Sequence, residues 1–125
     1  MSENAKNSLT PTLQPWQDTV VASVESRGTK ADPGKRRMDL LDPLALNGLA
    51  DVLTFGAGKY GDRNWELGIE WSRAYAATLR HLLAFWGGED LDPETGLPHV
   101  DHAACNIHFL QRYYRTHQNL DNRPK

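Results

Sequence analysis

The chain has 125 residues, with 14 Lys and Arg against 16 Asp and Glu and a formal net charge of −2. With a pI near 6.2, it lacks the basic excess that non-specific nucleic-acid binding needs. One cysteine, Cys105, excludes an intrachain disulfide and fits a reducing setting. No run approaches the roughly 18 apolar residues of a membrane span, and the polar N-terminus lacks a signal core.

The expected location is therefore cytoplasmic, with no membrane partner. The length bounds the chain at one domain. Hydrophobic residues make up 39% of it and mean hydropathy is −0.62. That composition suits a thin helical domain that completes its core by self-association.

Residues 1–34 read as a flexible N-terminal segment, broken by Pro11, Pro15 and Pro33. Within it, WQDTVVASVES has no periodicity that separates helix from strand. Gly28–Arg37 is a basic loop ending in Lys35, Arg36 and Arg37, which is either solvated or laid over phosphates.

A first helix is expected from Asp42 to Phe55. Asp42 is a suitable N-cap, Pro43 suits the first helical position, and Gly56 and Gly58 supply the stop. The connection from Gly56 to Trp71 is rich in glycine, polar groups and aromatics. A second helix should start at Ser72 and reach Trp86, with Tyr75, Thr78, Leu79, Leu82, Phe85 and Trp86 at helical spacing. Gly87 and Gly88 end it. Pro98 opens a third helix from His99 to His117 with a stripe of Val100, Ala103, Ala104, Ile107, Leu110, Tyr113 and Tyr114. Residues 119–125 read as a disordered tail. No segment alternates as a strand does, so the fold class is all-α, with three main helices over 35–118.

The stretch from Thr54 to His102 concentrates the chemistry, holding three of the five His and three of the four Trp. His99, His102 and Asn106 share one face of the third helix. The second helix carries His81 beside Arg80. A short connection favours antiparallel packing, which would turn these imidazoles toward one pocket.

The loop between the helices carries Glu89, Asp90, Asp92 and Glu94. Four carboxylates in so short a span either sit in solvent or hold a hard cation such as Mg²⁺ or Mn²⁺. An EF-hand arrangement is a poor match, because Thr95 stands where the turn glycine belongs. A zinc site from His81, His99 and His102 with one carboxylate is a further reading. In GAGKYGDRNW the glycines admit close approach of a ligand. Lys59 and Arg63 suit phosphate, Tyr60 and Trp65 can stack on a base, and Asn64 can read a base edge. Glycine spacing of the phosphate-loop type is absent.

Taken in order, KRRMDLL, TFGAGKYGDRNW, WSRAYAATLRHLLAFW, GED and DPETGLPHVDHA resemble a phage and bacterial family named for dATP/dGTP diphosphohydrolase activity. That family includes the MazZ-type enzymes of phages that replace adenine with diaminopurine, and it is related to the all-α MazG-like nucleotide pyrophosphohydrolases. The resemblance covers Lys35 to Tyr114.

The resemblance implies Mg²⁺- or Mn²⁺-dependent hydrolysis of dGTP or dATP to a monophosphate and pyrophosphate. It implies Glu89 and Asp90 as leading metal ligands, with Glu66, Asp92 and His99 beside them, and His81, Glu89 and His102 in catalysis. Lys59, Arg63 and Arg80 would meet phosphate, while Tyr60, Asn64 and Trp65 would hold base or sugar. A homo-oligomer is expected, tetramer ahead of dimer. MazG-like enzymes carry paired ExxE and ExxD motifs on adjacent helices. This chain has no helical ExxE, so its metal site must be built differently. A nucleotide- or metal-binding module without catalysis, or a phage interaction protein, stands as the alternative.

Overall fold

The computed structural model describes residues 27–125, and the chain divides into two units, Met1–Arg37 and Met38–Lys125. The stretch WQDTVVASVES and most of the 1–34 segment lie outside the described residues. Residues 27–37 hold no helix; a turn closes there by the Lys35 N–H donating to the Asp32 carbonyl at 3.0 Å.

The second unit is all-α, with no strand among the described residues beyond an isolated bridge between Leu91 and Pro98. Its helices are α1 (Pro43–Tyr60), α2 (Trp71–Trp86) and α3 (His99–Thr116), with short 3-10 turns at Met38–Leu40, Asn64–Leu67 and Gln118–Leu120. None of the helices among the described residues is long and apolar enough to cross a membrane.

Local chemistry sets the starts of the helices. Asp42 Oδ2 accepts from the Ala45 N–H at 2.8 Å, and Pro43 takes the first turn, where no N–H is missed. The α1 helix then runs past Gly56 and Gly58, where a stop was expected. A glycine costs a helix interior only about 1 kcal/mol, so it does not by itself end one. The true stop is Gly61, whose φ of 98° most side chains cannot adopt.

The α2 helix begins one residue before the expected Ser72. Its free N-terminus is satisfied by Asn122, whose Oδ1 accepts from the Ser72 N–H at 3.0 Å while its Nδ2 donates to Ser72 Oγ at 2.8 Å. The C-terminal residues, read from sequence as a loose tail, are thus folded back onto α2. Trp71 Nε1 donates to the His117 carbonyl at 3.1 Å, and the Arg123 guanidinium lies 5.0 Å from the Trp71 ring.

These contacts put the start of α2 beside the end of α3, and His81 near the end of α2 beside His99 at the start of α3. The two helices are therefore antiparallel, and α3 packs against both α2 and α1. Gly48 marks the close approach of α1, since a methyl group there would overlap the Asp101 carboxylate.

The core is small: Val52, Trp71, Ala74, Ala103, Cys105 and Tyr113, with Thr78 and His99 as buried polar members. This corrects the expected apolar stripes. Of the α2 set only Thr78 is buried. Tyr75, Leu82 and Trp86 are exposed, the last at 87%. On α3, Ala103 and Tyr113 of the expected stripe are buried, whereas Val100, Ile107 and Tyr114 face solvent. Small residues let two helix backbones approach closely, so Ala74, Thr78 and Ala103 take the contact, and Tyr75, Leu82 and Trp86 stay exposed among the described residues.

Tyr113 ties the loop before α2 to α3. It is fully buried, and its hydroxyl donates to the Trp65 carbonyl at 2.5 Å. The Trp65 ring stacks on Phe109 at 4.9 Å. The 3-10 turn carrying Trp65 ends at Gly68, which has φ 99°, and a methyl group there would press on the side chains of Leu120 and His117. We expect Gly68→Ala to cost about 1–3 kcal/mol, from positive-φ strain together with the clash. A fall of several degrees in Tm by thermal melting checks this; an unchanged Tm would show that the turn relaxes freely.

Candidate functional site

The loop between α2 and α3 builds the site. The Asp92 N–H donates to the Leu97 carbonyl at 2.8 Å, the Gly96 N–H to the Asp92 carbonyl at 2.7 Å, and the His99 N–H to the Asp90 carbonyl at 2.9 Å. Asp92 Oδ2 accepts from the Thr95 N–H at 2.9 Å, the local turn that Asp favours. The loop is therefore held in one shape with the Asp92 carboxylate turned inward, its side chain 15% exposed.

Three imidazoles meet this carboxylate. His99 is buried, with Nε2 2.7 Å from Glu89 Oε1 and Nδ1 2.9 Å from His81 Nδ1. His81 stacks on His102, ring centroids 4.6 Å apart and planes within 8°. His102 Nε2 lies 2.7 Å from the Thr95 hydroxyl and 4.0 Å from Asp92 Oδ2. One ligand-capable atom from each of His81, Asp92 and His99 lies within 4.8 Å of the others.

Burial, and then the neighbouring His102, hold the His81 pKa below the usual histidine value. At Asp92 desolvation opposes ionisation, but the Thr95 N–H and hydroxyl outweigh it together with His102, and the carboxyl stays below its ordinary value. A neutral imidazole beside an ionised carboxylate is the protonation state in which both offer lone pairs to a cation.

The four acidic residues do not converge on one point. Glu89 is spent on His99, Asp90 contributes its carbonyl, Asp92 enters the histidine cluster, and Glu94 Oε2 lies 3.7 Å from Lys59 Nζ. That last pair brings the end of α1 to the loop, with Tyr60 adjacent, its ring 5.2 Å from the Lys59 ammonium. Tyr60 and then Glu94 raise the Lys59 pKa, so it stays charged near neutrality. Of the residues expected to bind metal, the structure therefore unites Asp92 and His99, joined by His81.

Glu66 stands elsewhere. It pairs with Arg63 at 2.6 Å, and the two line an open groove of about 460 Å³ with Trp65, His108, Arg112 and Arg115. Arg63 holds a left-handed backbone with φ 59° just before Asn64 opens the 3-10 turn. The Glu66–Glu70 spacing is broken by Gly68 and is not helical. Arg80 lines a second groove of about 550 Å³ with Arg73 and Asn106. The expected substrate residues thus fall into three places: Lys59 and Tyr60 by the acidic loop, Arg63, Asn64 and Trp65 at the far end of α3, and Arg80 between α2 and α3.

Residues that sequence reasoning passed over are Thr95, which positions both Asp92 and His102, and Arg112 and Arg115. The D-x-x-T spacing after Asp92 is the signal for Thr95.

The donor set at the cluster is two imidazole nitrogens and one carboxylate oxygen. That set fits Mn²⁺ or Zn²⁺ and fits Mg²⁺ poorly, since Mg²⁺ prefers oxygen donors throughout.

This geometry belongs to a helical domain with a His and carboxylate centre at the start of α3 and an arginine-lined groove at the other end of that helix. The model of the family described as dATP/dGTP diphosphohydrolase, N-terminal, matches residues 25–123, and the chain belongs to that family. It is 41% identical over 83 residues to a dATP/dGTP diphosphohydrolase of Salmonella phage PMBT28, a match covering 66% of this chain and 28% of that protein. The chain thus spans little more than a quarter of that relative's length in the match. No solved structure matches it.

Cys105 is buried on α3 and is not a member of the His and carboxylate cluster. Burial pushes its thiol up to about 11, so at pH 8 about one molecule in a thousand carries the thiolate that reacts. We expect no labelling by a disulfide reagent at pH 8 in native protein and one thiol per chain after denaturation. Fast labelling of the folded chain would contradict this burial.

Proposed function

We propose that this chain supplies the nucleotide-hydrolysing centre of a purine deoxynucleoside triphosphate diphosphohydrolase, of MazG-like fold type. The observation that carries this reading is the meeting of His81, His99 and His102 with Asp92 and Glu89 where the α2–α3 loop joins both helices. The name of the phage relative supplies the substrate class.

In the proposed reaction water adds across the bond linking the α and β phosphates. The water oxygen bonds to the α phosphorus, the bridging P–O bond breaks, and its electrons leave with pyrophosphate. His81, His99 and Asp92 would hold a divalent cation, Mn²⁺ in preference to the equally expected Mg²⁺, which would supply charge neutralisation for the phosphate oxygens. His102 accepts the water proton; Thr95 holds its ring at Nε2. Lys59, at the rim of the acidic loop, pairs with the departing phosphates, with Arg80 as the second cation. Tyr60, beside Lys59, holds base or sugar, whereas Asn64 and Trp65, the latter stacked on Phe109 at the far end of α3, lie away from this centre.

Purified protein with Mn²⁺ should release pyrophosphate from dGTP or dATP. His102→Ala should lower kcat by about 10²–10⁴-fold, the usual contribution of a positioned base. Nucleotide binding by calorimetry without any turnover would favour the non-catalytic module instead.

We also propose that the chain works as a homo-oligomer. Tyr75, Leu79, Leu82, Leu83 and Trp86 lie at helical spacing along α2 and are exposed among the described residues, and clustered exposed apolar side chains mark interaction surfaces. Light scattering should give a mass of two or four chains, and the double substitution Leu82→Glu with Trp86→Glu should shift it to one. A wild-type mass of one chain would sink this part of the proposal.

A further inference from the structure

The facing nitrogens of His81 and His99 need something between them. They stand 2.9 Å apart, Nδ1 to Nδ1, and two lone pairs at that distance repel unless a proton or a cation lies between them. Glu89 decides which nitrogen of His99 carries its proton. Its carboxylate oxygen lies 2.7 Å from Nε2, so Nε2 is the N–H that donates to it, and Nδ1 is left with a lone pair directed at His81. A carboxylate behind an imidazole, with the other ring nitrogen free, is how proteins orient a metal-binding histidine.

The third donor is also set in advance. Thr95 holds Asp92 Oδ2 through its N–H at 2.9 Å, and this carboxylate falls within the 4.8 Å span that unites the three groups.

We propose that His81, His99 and Asp92 hold one divalent transition ion of the Zn²⁺ or Mn²⁺ class, and that Glu89 is a positioning residue for His99 and not a ligand. Two nitrogen donors and one oxygen select borderline ions over Mg²⁺ and Ca²⁺. Three protein donors leave coordination positions free for water or a phosphate oxygen, as in hydrolytic and not structural sites. The site is shared with the proposed hydrolase reaction, but the binding claim rests on the side chains alone and needs no nucleotide.

The test uses the metal alone on the full chain. Co²⁺ titrated into nucleotide-free protein should produce visible d–d absorption that saturates at one equivalent and disappears on adding Zn²⁺, while Mg²⁺ in excess leaves it unchanged. His81→Ala and Asp92→Asn should each abolish the saturating signal. His81 is part-exposed and Asp92 lies in a loop, so folding of both is checkable by circular dichroism should His99→Ala fail to fold. Glu89→Gln should weaken Co²⁺ binding about 10–100-fold while leaving the shape of the spectrum unchanged, because the ligand set is intact.

A spectrum changed in shape by Glu89→Gln would make Glu89 a ligand and overturn its positioning role. No saturating absorption with wild-type protein, or a signal equal in His81→Ala, would overturn the site. Saturable Co²⁺ binding without pyrophosphate release would uphold this inference while removing the hydrolase reading, so the two fail separately.

Discussion

The burial of one imidazole constrains the rest of this site. His99 stands at the first position of α3, almost wholly removed from water, where an unsatisfied polar group is costly. Each of its hydrogen-bonding groups is answered by a different part of the molecule. Its N–H goes to the Asp90 carbonyl, Nε2 to Glu89, and Nδ1 to His81 on α2. Satisfying that single residue therefore fixes the loop from Glu89 to Pro98, the register of α2 against α3, and the direction of both ring nitrogens. The acidic loop, which in isolation would splay by charge repulsion, is held by separate partners for the Glu89, Asp92 and Glu94 carboxylates and by the Asp90 backbone carbonyl.

Much of this architecture was legible in the sequence, where the signal was local. Asp42 with Pro43, the Gly87–Gly88 stop and the opening by Pro98 are short-range chemistry, and the helices start and stop close to them. Antiparallel packing of α2 and α3, with imidazoles spaced along one face, was enough to place His81 opposite His99 and His102.

Illegible were the features that depend on other parts of the chain. Gly56 and Gly58 are equally good stop signals on paper, but only at Gly61 does the backbone need a positive φ. The partner of Glu89 is set by where the loop returns, not by spacing, so its contact with the buried His99 ring could not be read from the sequence. Trp65 illustrates the same limit. An aromatic in a glycine-rich loop suits a stacking platform, yet one face of its indole is already committed to Phe109, and its carbonyl to Tyr113.

The amphipathicity of α2 and α3 is inverted relative to the usual soluble helix. Apart from Trp71 and Tyr113, the residues they bury are small or polar, namely Ala74, Thr78, Ala103, Cys105 and His99, while Tyr75, Leu82, Leu83, Trp86, Val100 and Ile107 are exposed. Periodicity reports where bulky apolar side chains lie on a helix; it does not report which face the same chain covers. Small residues bring the two backbones near enough for ring nitrogens on opposite helices to meet at 2.9 Å. Leucines in their place would hold the helices apart and dissolve the cluster. The intrachain contact is thus shaped by the needs of the polar site, and the packing that permits a close pair of imidazoles is the packing that leaves Tyr75, Leu82 and Trp86 exposed among the described residues.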